Sequence, residues 1–367
     1  MPFGDLRKFL SHLQDHGELA RVSKELDDQQ GFEVSAVLDR LQRSRGKAVV
    51  FEKLKSCGMP MCANVLGSFG RIALALETSE EKLFSEWAKR KQSAWPSPRL
   101  VFDGACSETA ITEENVNLYS YPALKWNPLD GGRYITLGAV ITKDPQTQQR
   151  NVGIYRLMIL GRRHLAINMA PQRHITAHYG KAESMGKPLE VAVAIGLDPA
   201  VTLAAATDLK LGDDEFAFAG VLRGEPLKLT GCKAVDVEVP ASAEIVLEGV
   251  IQPKVRVLEG PFAESTGYYS KALPQPIMKV KAIMQREKPI FQASYSGKPP
   301  QEEHFLTAFN CPNLNQSTKS FAQKRTAKGI LDGAHAKISR RITSQPVRLP
   351  GKDVDWVARN WAEYGLE

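Results

Sequence analysis

The feature that most constrains the fold is a succession of short apolar segments between residues 134 and 297. They are separated by turn residues, namely Asp144-Pro145, Gly161, Gly231 and Pro253. The predicted strands are Tyr134 to Thr142, Val152 to Leu160, Leu165 to Met169, Leu189 to Ile195, Leu227 to Val239, Glu244 to Ile251, Lys254 to Leu258, Ile277 to Met284 and Pro289 to Tyr295. Two helices interrupt them, at about 172–185 and 214–223. Many strands with few helices predict a barrel or a sandwich.

The first hundred residues alternate between helix and strand patterns instead. Apolar residues recur at helical spacing from Leu6 to Leu13 and from Val34 to Leu41, and strand patterns follow at 19–26 and 48–51. Thr78 and Glu81 fit a capping box ahead of another helix. We therefore expect an α+β fold with an N-terminal α+β domain at 1–115, a strand-rich domain at 116–305 and a shorter region at 306–367. The last region ends in a helix with one apolar face, formed by Val354, Val357, Trp361 and Tyr364.

Composition places the chain among ordinary globular proteins. With 43% hydrophobic and 24% charged residues, disordered, collagen-like and membrane classes are excluded. The first ten residues lack the apolar core of a secretory signal, so we expect a cytoplasmic protein. The five cysteines show no Cys-x-x-Cys spacing and are expected to be reduced packing residues.

The positive charge is concentrated near the end of the chain. The net charge is 48 − 41 = +7, and residues 319–341 hold seven Lys and Arg against one acid, Asp332. Such a segment can attract nucleic acid or another polyanion, or it can be a solvated basic surface. Because it contains a single aromatic residue and no nucleic-acid motif, the solvated surface is favoured.

Polar residues inside one apolar strand pattern are the first chemical signal. Asn151 and Arg156 lie five residues apart, and an odd offset in a regular strand sends them to opposite faces. An arginine there needs an anionic partner, because a buried unpaired charge is very costly. A structural ion pair at a barrel end is the simplest explanation.

A pair of carboxylates is the second signal. Glu259 and Glu264 flank a Gly-Pro turn that can fold them toward each other. Such a pair can supply one ionised partner for an arginine and one general acid. Alternatively both are surface loop acids, which base rates alone favour.

A set of hard ligands is the third signal. It comprises Asn151, either His174 or His178, and Glu215. An amide oxygen, an imidazole and a carboxylate suit Mg or Mn better than zinc.

Several separated motifs together resemble the UbiD family of prenylated-FMN-dependent decarboxylases. They are NVGIYRLM from Asn151, GDDEFAFAGVLRGE up to Glu225, VPASAEIVLEG up to Gly249 and EGPFAESTGYY from Glu259. GSFGRIALAL from Gly67 and SGKPPQEEH up to His304 give weaker support. The resemblance runs from Phe3 to about Glu303.

The resemblance implies a fold, a cofactor and a reaction. The central domain would be a flavin-reductase-like split β-barrel that binds prenylated FMN. Arg156, Glu259 and Glu264 would be catalytic. Asn151, His174 and Glu215 would hold Mn or Mg against the cofactor phosphate, with potassium beside it. The positions assigned to the cofactor are Asn151, Val152, Gly153, Ile154, Tyr155, Arg156, Arg173, His174, Ala205, Ala206, Thr207 and Glu215.

The implied activity is non-oxidative decarboxylation of an aromatic or α,β-unsaturated carboxylic acid. A flavin prenyltransferase would supply the cofactor, a homo-oligomer is expected, and no nucleic acid or membrane partner is implied. Two departures stand out: Asp208-Leu209-Lys210 replaces the family's Pro-x-Pro, and the C-terminal α/β domain is shortened. The rival hypothesis is a flavin-binding family member that has lost turnover with that domain. An ordinary FMN reductase is disfavoured, because it has no need for the Arg/Glu/Glu set.

Overall fold

The computed structural model describes residues 3–28, 31–310 and 345–366. Cys311 and the basic segment 319–341 lie outside the described residues. The helices are α1 Leu6–Asp15, α2 Glu33–Arg43, α3 Phe69–Ala75, α4 Leu83–Gln92, α5 His174–Ser184, α6 Pro199–Ala205, α7 Glu215–Arg223, α8 Glu302–Thr307 and α9 Gly351–Arg359. The strands are β1 Leu19–Val22, β2 Ala48–Phe51, β3 Met61–Ala63, β4 Arg99–Leu100, β5 Thr109–Thr112, β6 Tyr134–Lys143, β7 Arg150–Gly161, β8 His164–Ile167, β9 Leu189–Ile195, β10 Lys228–Gly231, β11 Glu238–Pro240, β12 Ile245–Glu259, β13 Leu273–Gln285 and β14 Phe291–Ala293.

Six strands close into a barrel, which confirms the α+β class and decides between barrel and sandwich. The strand order is β12-β9-β6-β7-β8-β13, and β13 pairs back with β12. Closure removes the open edges that a sandwich leaves. The short strand β5 pairs with the far part of β13.

Side chains on the barrel strands alternate between two hydrophobic cores. On β9, Val191, Val193 and Ile195 pack with the apolar residues inside the barrel. Ala192 and Ala194 point outward and pack with the apolar residues of α6 and α7. Small outward residues let the helices approach the barrel closely, and this alternation fixes the strand register.

Four predicted strands differ from the structure. β12 is one long strand, and Pro253 lies in a bulge between Ile251 and Arg256 rather than in a turn. The expected strand over 227–239 is a hairpin of β10 and β11. β14 was expected among the barrel strands but pairs in parallel with β3, in the sheet β1-β2-β3-β14.

Helix ends also differ from the sequence patterns. The prediction of a capping box at Thr78 and Glu81 is wrong, because α4 begins after Lys82, and Lys82 makes no side-chain capping hydrogen bond. The sequence patterns missed α6, which Asp198 caps by accepting a hydrogen bond from Ala200 N at 2.9 Å. In the described part of the chain, no helix is long and apolar enough to cross a membrane.

The C-terminal helix packs against the N-terminal part of the chain. α9 ends at Arg359, and Trp361 and Tyr364 follow in a 3₁₀ turn rather than in the helix. Tyr364 Oη donates to Glu33 Oε1 on α2 at 2.6 Å. The cysteines that the structure describes are all free, as expected.

One buried carboxylate, Glu244, connects α1, the barrel and the segment before β14. Arg7 on α1 donates to both of its oxygens at 2.8 Å, and Ile290 N donates to Oε2 at 3.0 Å. We expect Glu244→Ala to lower the free energy of unfolding by about 2–4 kcal/mol, because it removes the bidentate partner of Arg7 and the acceptor of Ile290 N. Urea unfolding measures the effect. Asp39→Ala, which removes a half-exposed pair with Arg43 on α2, should change it by less than about 1 kcal/mol.

Candidate active site

The central feature of the site is a bidentate ion pair between Arg156 on β7 and Glu259 at the end of β12. Arg156 Nε donates to Glu259 Oε1 at 2.8 Å, and Nη2 donates to Oε2 at 2.9 Å. Glu259 is fully buried and also accepts from Asn168 Nδ2 at 2.9 Å. The alternative that both glutamates are surface loop acids is therefore wrong for Glu259.

Arg156 makes three further contacts with the loop after β12. Nη1 donates to Glu264 Oε1 at 3.3 Å, and Nη2 donates to Ser270 Oγ at 3.2 Å. The guanidinium carbon lies 5.0 Å from the centroid of the Phe262 ring. Burial opposes the charge of Arg156, but the hydrogen bonds and charge of Glu259 outweigh it, so the pKa of Arg156 is raised. The guanidinium stays charged.

Glu264 differs from the fully buried Glu259, because 41% of the Glu264 side chain is exposed. It lies in a loop rather than in a strand and makes one long hydrogen bond to Arg156. The two acids are thus brought together at one arginine in different environments. No motif pointed to Asn168 or Ser270, whose roles depend on tertiary contacts with Glu259 and Arg156.

A second cluster joins the start of β7 to the N-termini of two helices. Glu215 opens α7, where the side chain of Asp214 caps the helix, and His174 opens α5. Asn151 Nδ2 donates to Glu215 Oε1 at 2.9 Å and lies 3.3 Å from His174 Nδ1. Val152 N donates to Glu215 Oε2 at 2.9 Å. The structure brings together all three residues of the predicted ligand set.

The electrostatics of this cluster fit a cation. Burial raises the pKa of Glu215 to about 8, which indicates a carboxylate that lacks a compensating positive charge. Asn151 Oδ1 is buried without a hydrogen-bond partner. Burial, assisted by Arg173, lowers the pKa of His174, so its imidazole is neutral as a metal ligand must be. The described residues contain no group of three or more His, Cys, Asp or Glu arranged for a metal, so the amide of Asn151 is needed to complete the set.

His178 lies elsewhere, although it is on the same helix as His174. Its Nδ1 is 2.9 Å from Thr142 Oγ1 on β6, and its Nε2 is 4.0 Å from Asp144 Oδ2. Its side chain is buried in these contacts. Of the two histidines that the sequence offered, His174 is therefore the one beside Asn151 and Glu215.

The other predicted cofactor positions surround this cluster. The ring of Tyr155 covers Gly153, where a Cβ would lie 2.7 Å from Tyr155 Cε2 and only glycine fits. Arg173 donates to Asp208 Oδ1 at 3.0 Å. Asn310, which the sequence analysis missed, donates from Nδ2 to Ala206 O at 2.9 Å. It thereby fixes the end of α6 and the turn that follows it, which contain Ala205, Ala206 and Thr207.

Comparisons with known proteins identify similar families and structures. The model of the 3-octaprenyl-4-hydroxybenzoate carboxy-lyase Rift-related domain (UbiD) matches residues 99–299, and the model of the N-terminal domain of the same family matches 10–91. The structure of the UbiD-class enzyme HmfF from Pelotomaculum thermopropionicum, an evolved dimeric form with prFMN, is similar with a TM-score of 0.78 at 37% identity, over 84% of this chain and 70% of that chain. The closed form of vanillic acid decarboxylase from Sedimentibacter hydroxybenzoicus is similar with a TM-score of 0.81 at 34% identity. The match covers 84% of this chain and 67% of that chain.

The relatives are longer than this chain. An uncharacterized protein from Archaeoglobus fulgidus is 39% identical over an alignment of 326 residues, which covers 83% of this chain and 66% of that protein. The chain thus spans about two thirds of the length of the relatives that it matches.

The different burial of the two acids predicts different effects on stability. Glu259→Gln should lower the free energy of unfolding by about 2–4 kcal/mol, because it leaves the Arg156 charge without its main partner in a buried site. Glu264→Gln should change it by less than about 1 kcal/mol, because that pair is partly exposed and long. Urea unfolding of both variants checks this. Equal losses would contradict the distinction.

Proposed function

Because the chain belongs to the UbiD family of carboxy-lyases, we propose that it is a prenylated-FMN-dependent, non-oxidative decarboxylase of an aromatic or α,β-unsaturated carboxylic acid. One observation carries the proposal. Arg156 is held by a buried carboxylate, Glu259, while its free edge faces a second and accessible carboxylate, Glu264. This arrangement places a fixed cation for a carboxylate beside a group that can deliver a proton.

Arg156 binds the substrate carboxylate in this proposal. Of its five N–H donors, Nε and one on Nη2 are taken by Glu259, and the other on Nη2 by Ser270. Nη1 has one donor directed at Glu264 and one left for substrate. Glu259 prevents Arg156 from rotating, so the substrate meets a preorganised charge.

Glu264 is the proton donor. The bond between the substrate and its carboxylate carbon breaks, CO2 leaves, and the electron pair stays on the substrate carbon. The carboxyl O–H of Glu264 then protonates that carbon, and the resulting carboxylate takes a new proton from water. Its 41% exposed side chain gives water the access that this last step needs. The reverse carboxylation follows the same steps in the opposite order.

Prenylated FMN, when bound, supplies the electron sink that the departing CO2 requires. Asn151, His174 and Glu215 would hold Mn²⁺ or Mg²⁺ against its phosphate, where the ion offsets negative charge. Arg173 and the strand from Val152 to Tyr155 would contact the cofactor. Potassium would lie beside the divalent ion, near the backbone of 205–207.

The relatives guide the substrate and partner assignments. Vanillic acid decarboxylase acts on a hydroxybenzoate-type acid, and we assign that class here. A flavin prenyltransferase would supply the cofactor, and a homo-oligomer is expected because an HmfF structure is dimeric. The second candidate is a flavin-binding protein with impaired catalysis.

Glu264→Gln tests the chemistry. Gln keeps the shape of Glu but cannot give up a proton, so turnover should fall by at least about a hundredfold. Incorporation of solvent deuterium at the former carboxyl carbon should fall with it, while the Kd of the substrate stays similar. Arg156→Ala should instead weaken substrate binding. Protein co-expressed with a flavin prenyltransferase is assayed for CO2 release, and its cofactor is checked by mass.

Two outcomes would count against this assignment. Near-normal turnover by Glu264→Gln, with prenylated flavin shown to be bound, would mean that the wrong acid has been chosen. No CO2 release by the unmutated, cofactor-loaded chain would favour the impaired flavin-binding protein.

The two histidines of α5 provide a matched test of the metal site. His174→Ala should lower the Mn and flavin content of the reconstituted, dialysed protein by about tenfold or more, because it removes a ligand. His178→Ala should leave both within about twofold. Metal analysis and the flavin absorbance measure the two contents. The reverse result would transfer the ligand role to His178.

A further inference from the structure

The loop that carries Glu264 is a tight turn whose position depends on a few backbone contacts. Glu264 N donates to Tyr268 O at 3.0 Å, and Gly267 N donates to Glu264 O at 2.9 Å. Ala263 and Tyr269 form a β-bridge beneath the turn. Glu264 is therefore placed by whatever holds the peptide of Ala263.

Asp130, in the segment before β6, holds that peptide from one side. Its Oδ1 accepts from Ala263 N at 2.9 Å, and its Oδ2 accepts from Asn127 N at 2.8 Å. The side chain is almost fully buried. The next residue packs against the same loop, because Gly131 N donates to Pro261 O at 2.7 Å. A Cβ on Gly131 would lie 2.3 Å from Gly260 O, so the two backbones are in direct contact.

The segment before α9 supports the other side of the loop. Val347 N donates to Gly267 O at 2.8 Å, and Tyr269 N donates to Gln345 O at 3.0 Å. The Val347 side chain is buried against Ala263 and Tyr269. These contacts use backbone groups and an apolar side chain, so Asp130 is the ionisable group in direct hydrogen-bond contact with Ala263.

We propose that Asp130 is a positioning residue which, as a carboxylate, fixes Ala263 and thereby aims the Glu264 carboxyl at the substrate carbon beside Arg156. The proposal rests on the proton-donor role given to Glu264 above. Asp130 touches no reacting atom and acts only through the backbone of the loop. A shift of the donor by about 1 Å is enough to lower the rate of proton delivery substantially.

The charge state of Asp130 changes within the working range of an enzyme. Burial raises the pKa of Asp130 to about 6, although the hydrogen bonds from Ala263 and Asn127 and the charges of Lys125 and Arg156 act in the other direction. Above pH 6 the carboxylate accepts both N–H groups. As the pH falls below 6 it gains a proton, loses charge and holds Ala263 less tightly.

The remaining titratable groups around Asp130 are phenols. Tyr134, Tyr269 and Tyr295 lie near its charge, and burial raises the pKa of each. They therefore stay neutral between pH 5 and 8.

The other titratable groups that face the loop are Glu303 and His304, which both contact Ser265; burial raises the pKa of Glu303 and lowers that of His304. A change in the loop near pH 6 is therefore assigned to Asp130 where Asp130→Asn abolishes it.

Asp130→Asn is the test, because it keeps the shape while replacing one acceptor oxygen by an N–H donor. In the cofactor-loaded chain we expect kcat to fall by about tenfold or more, with the substrate Kd within about twofold. The decrease of kcat below pH 6 in the unmutated protein should be absent in the variant. Independently of activity, hydrogen–deuterium exchange of the peptide spanning 261–268 should be faster in the variant by about tenfold.

Glu248→Gln is the matched control. Glu248 is a buried carboxylate on β12 that accepts two backbone N–H bonds, from Lys233 at 2.8 Å and from Ala234 at 2.5 Å. Burial also raises its pKa. It contacts the turn between β10 and β11 and not the loop of Glu264, so its variant should lose stability without a change in kcat, pH profile or exchange of 261–268.

Each outcome decides a separate point. Unchanged kcat and unchanged exchange in Asp130→Asn would overturn the proposal, as would a loss of stability that leaves the loop as protected as in Glu248→Gln. If Asp130→Asn does not fold, exchange of 261–268, corrected for intrinsic rates, must rise below pH 6 both in the unmutated protein and in a variant with Glu303 and His304 replaced by Gln, the two other titratable residues that contact Ser265. An unmutated, loaded chain that releases no CO2 would reject the decarboxylase function, while the exchange data would still decide the role of Asp130.

Discussion

The ion pair between Arg156 and Glu259 is the interaction on which the rest of the site depends. In the closed barrel, β7 and β12 are separated by β9 and β6 on one side and by β13 and β8 on the other, so they are opposite strands. Glu259 lies beyond Ile251, where the pairing of β12 with β9 ends, so the pair joins β7 to the projecting end of the β12–β13 hairpin. A buried carboxylate is tolerated there only because the guanidinium meets it in bidentate geometry. The same pairing turns the free edge of Arg156 toward Glu264.

Burial has opposite consequences at the Arg156–Glu259 pair and at the cluster around Glu215. At Arg156 a buried cation has a buried anion beside it, and the charge persists. At Glu215 the carboxylate is buried with an amide and an imidazole but without a cation, so its pKa rises to about 8. The first cluster is complete within the chain, and the second requires an external positive charge to become ionised at neutral pH.

Much of the fold could be predicted from local sequence patterns, and each wrong prediction has a physical cause. The barrel strands were predicted because alternating apolar residues fit two cores. β14 was misplaced because a short apolar run does not encode its partner, and here that partner is β3. Pro253 was read as a turn because the strand pattern does not distinguish a turn from a bulge. α6 was missed because it is apolar on all sides and buried throughout.

The sequence by itself determined which chemical groups are available: Arg156, two glutamates around a Gly-Pro turn, and an amide, an imidazole and a carboxylate at separate sites. It could not decide between His174 and His178, because one helical turn separates two equally suitable ligands. The packing of α5 against β6 and β7 decided which of the two lies beside Asn151 and Glu215, since His178 faces Thr142. Tertiary structure likewise divided the two acids. Glu259, at the end of β12, is fully buried, whereas Glu264 in the following loop is 41% exposed.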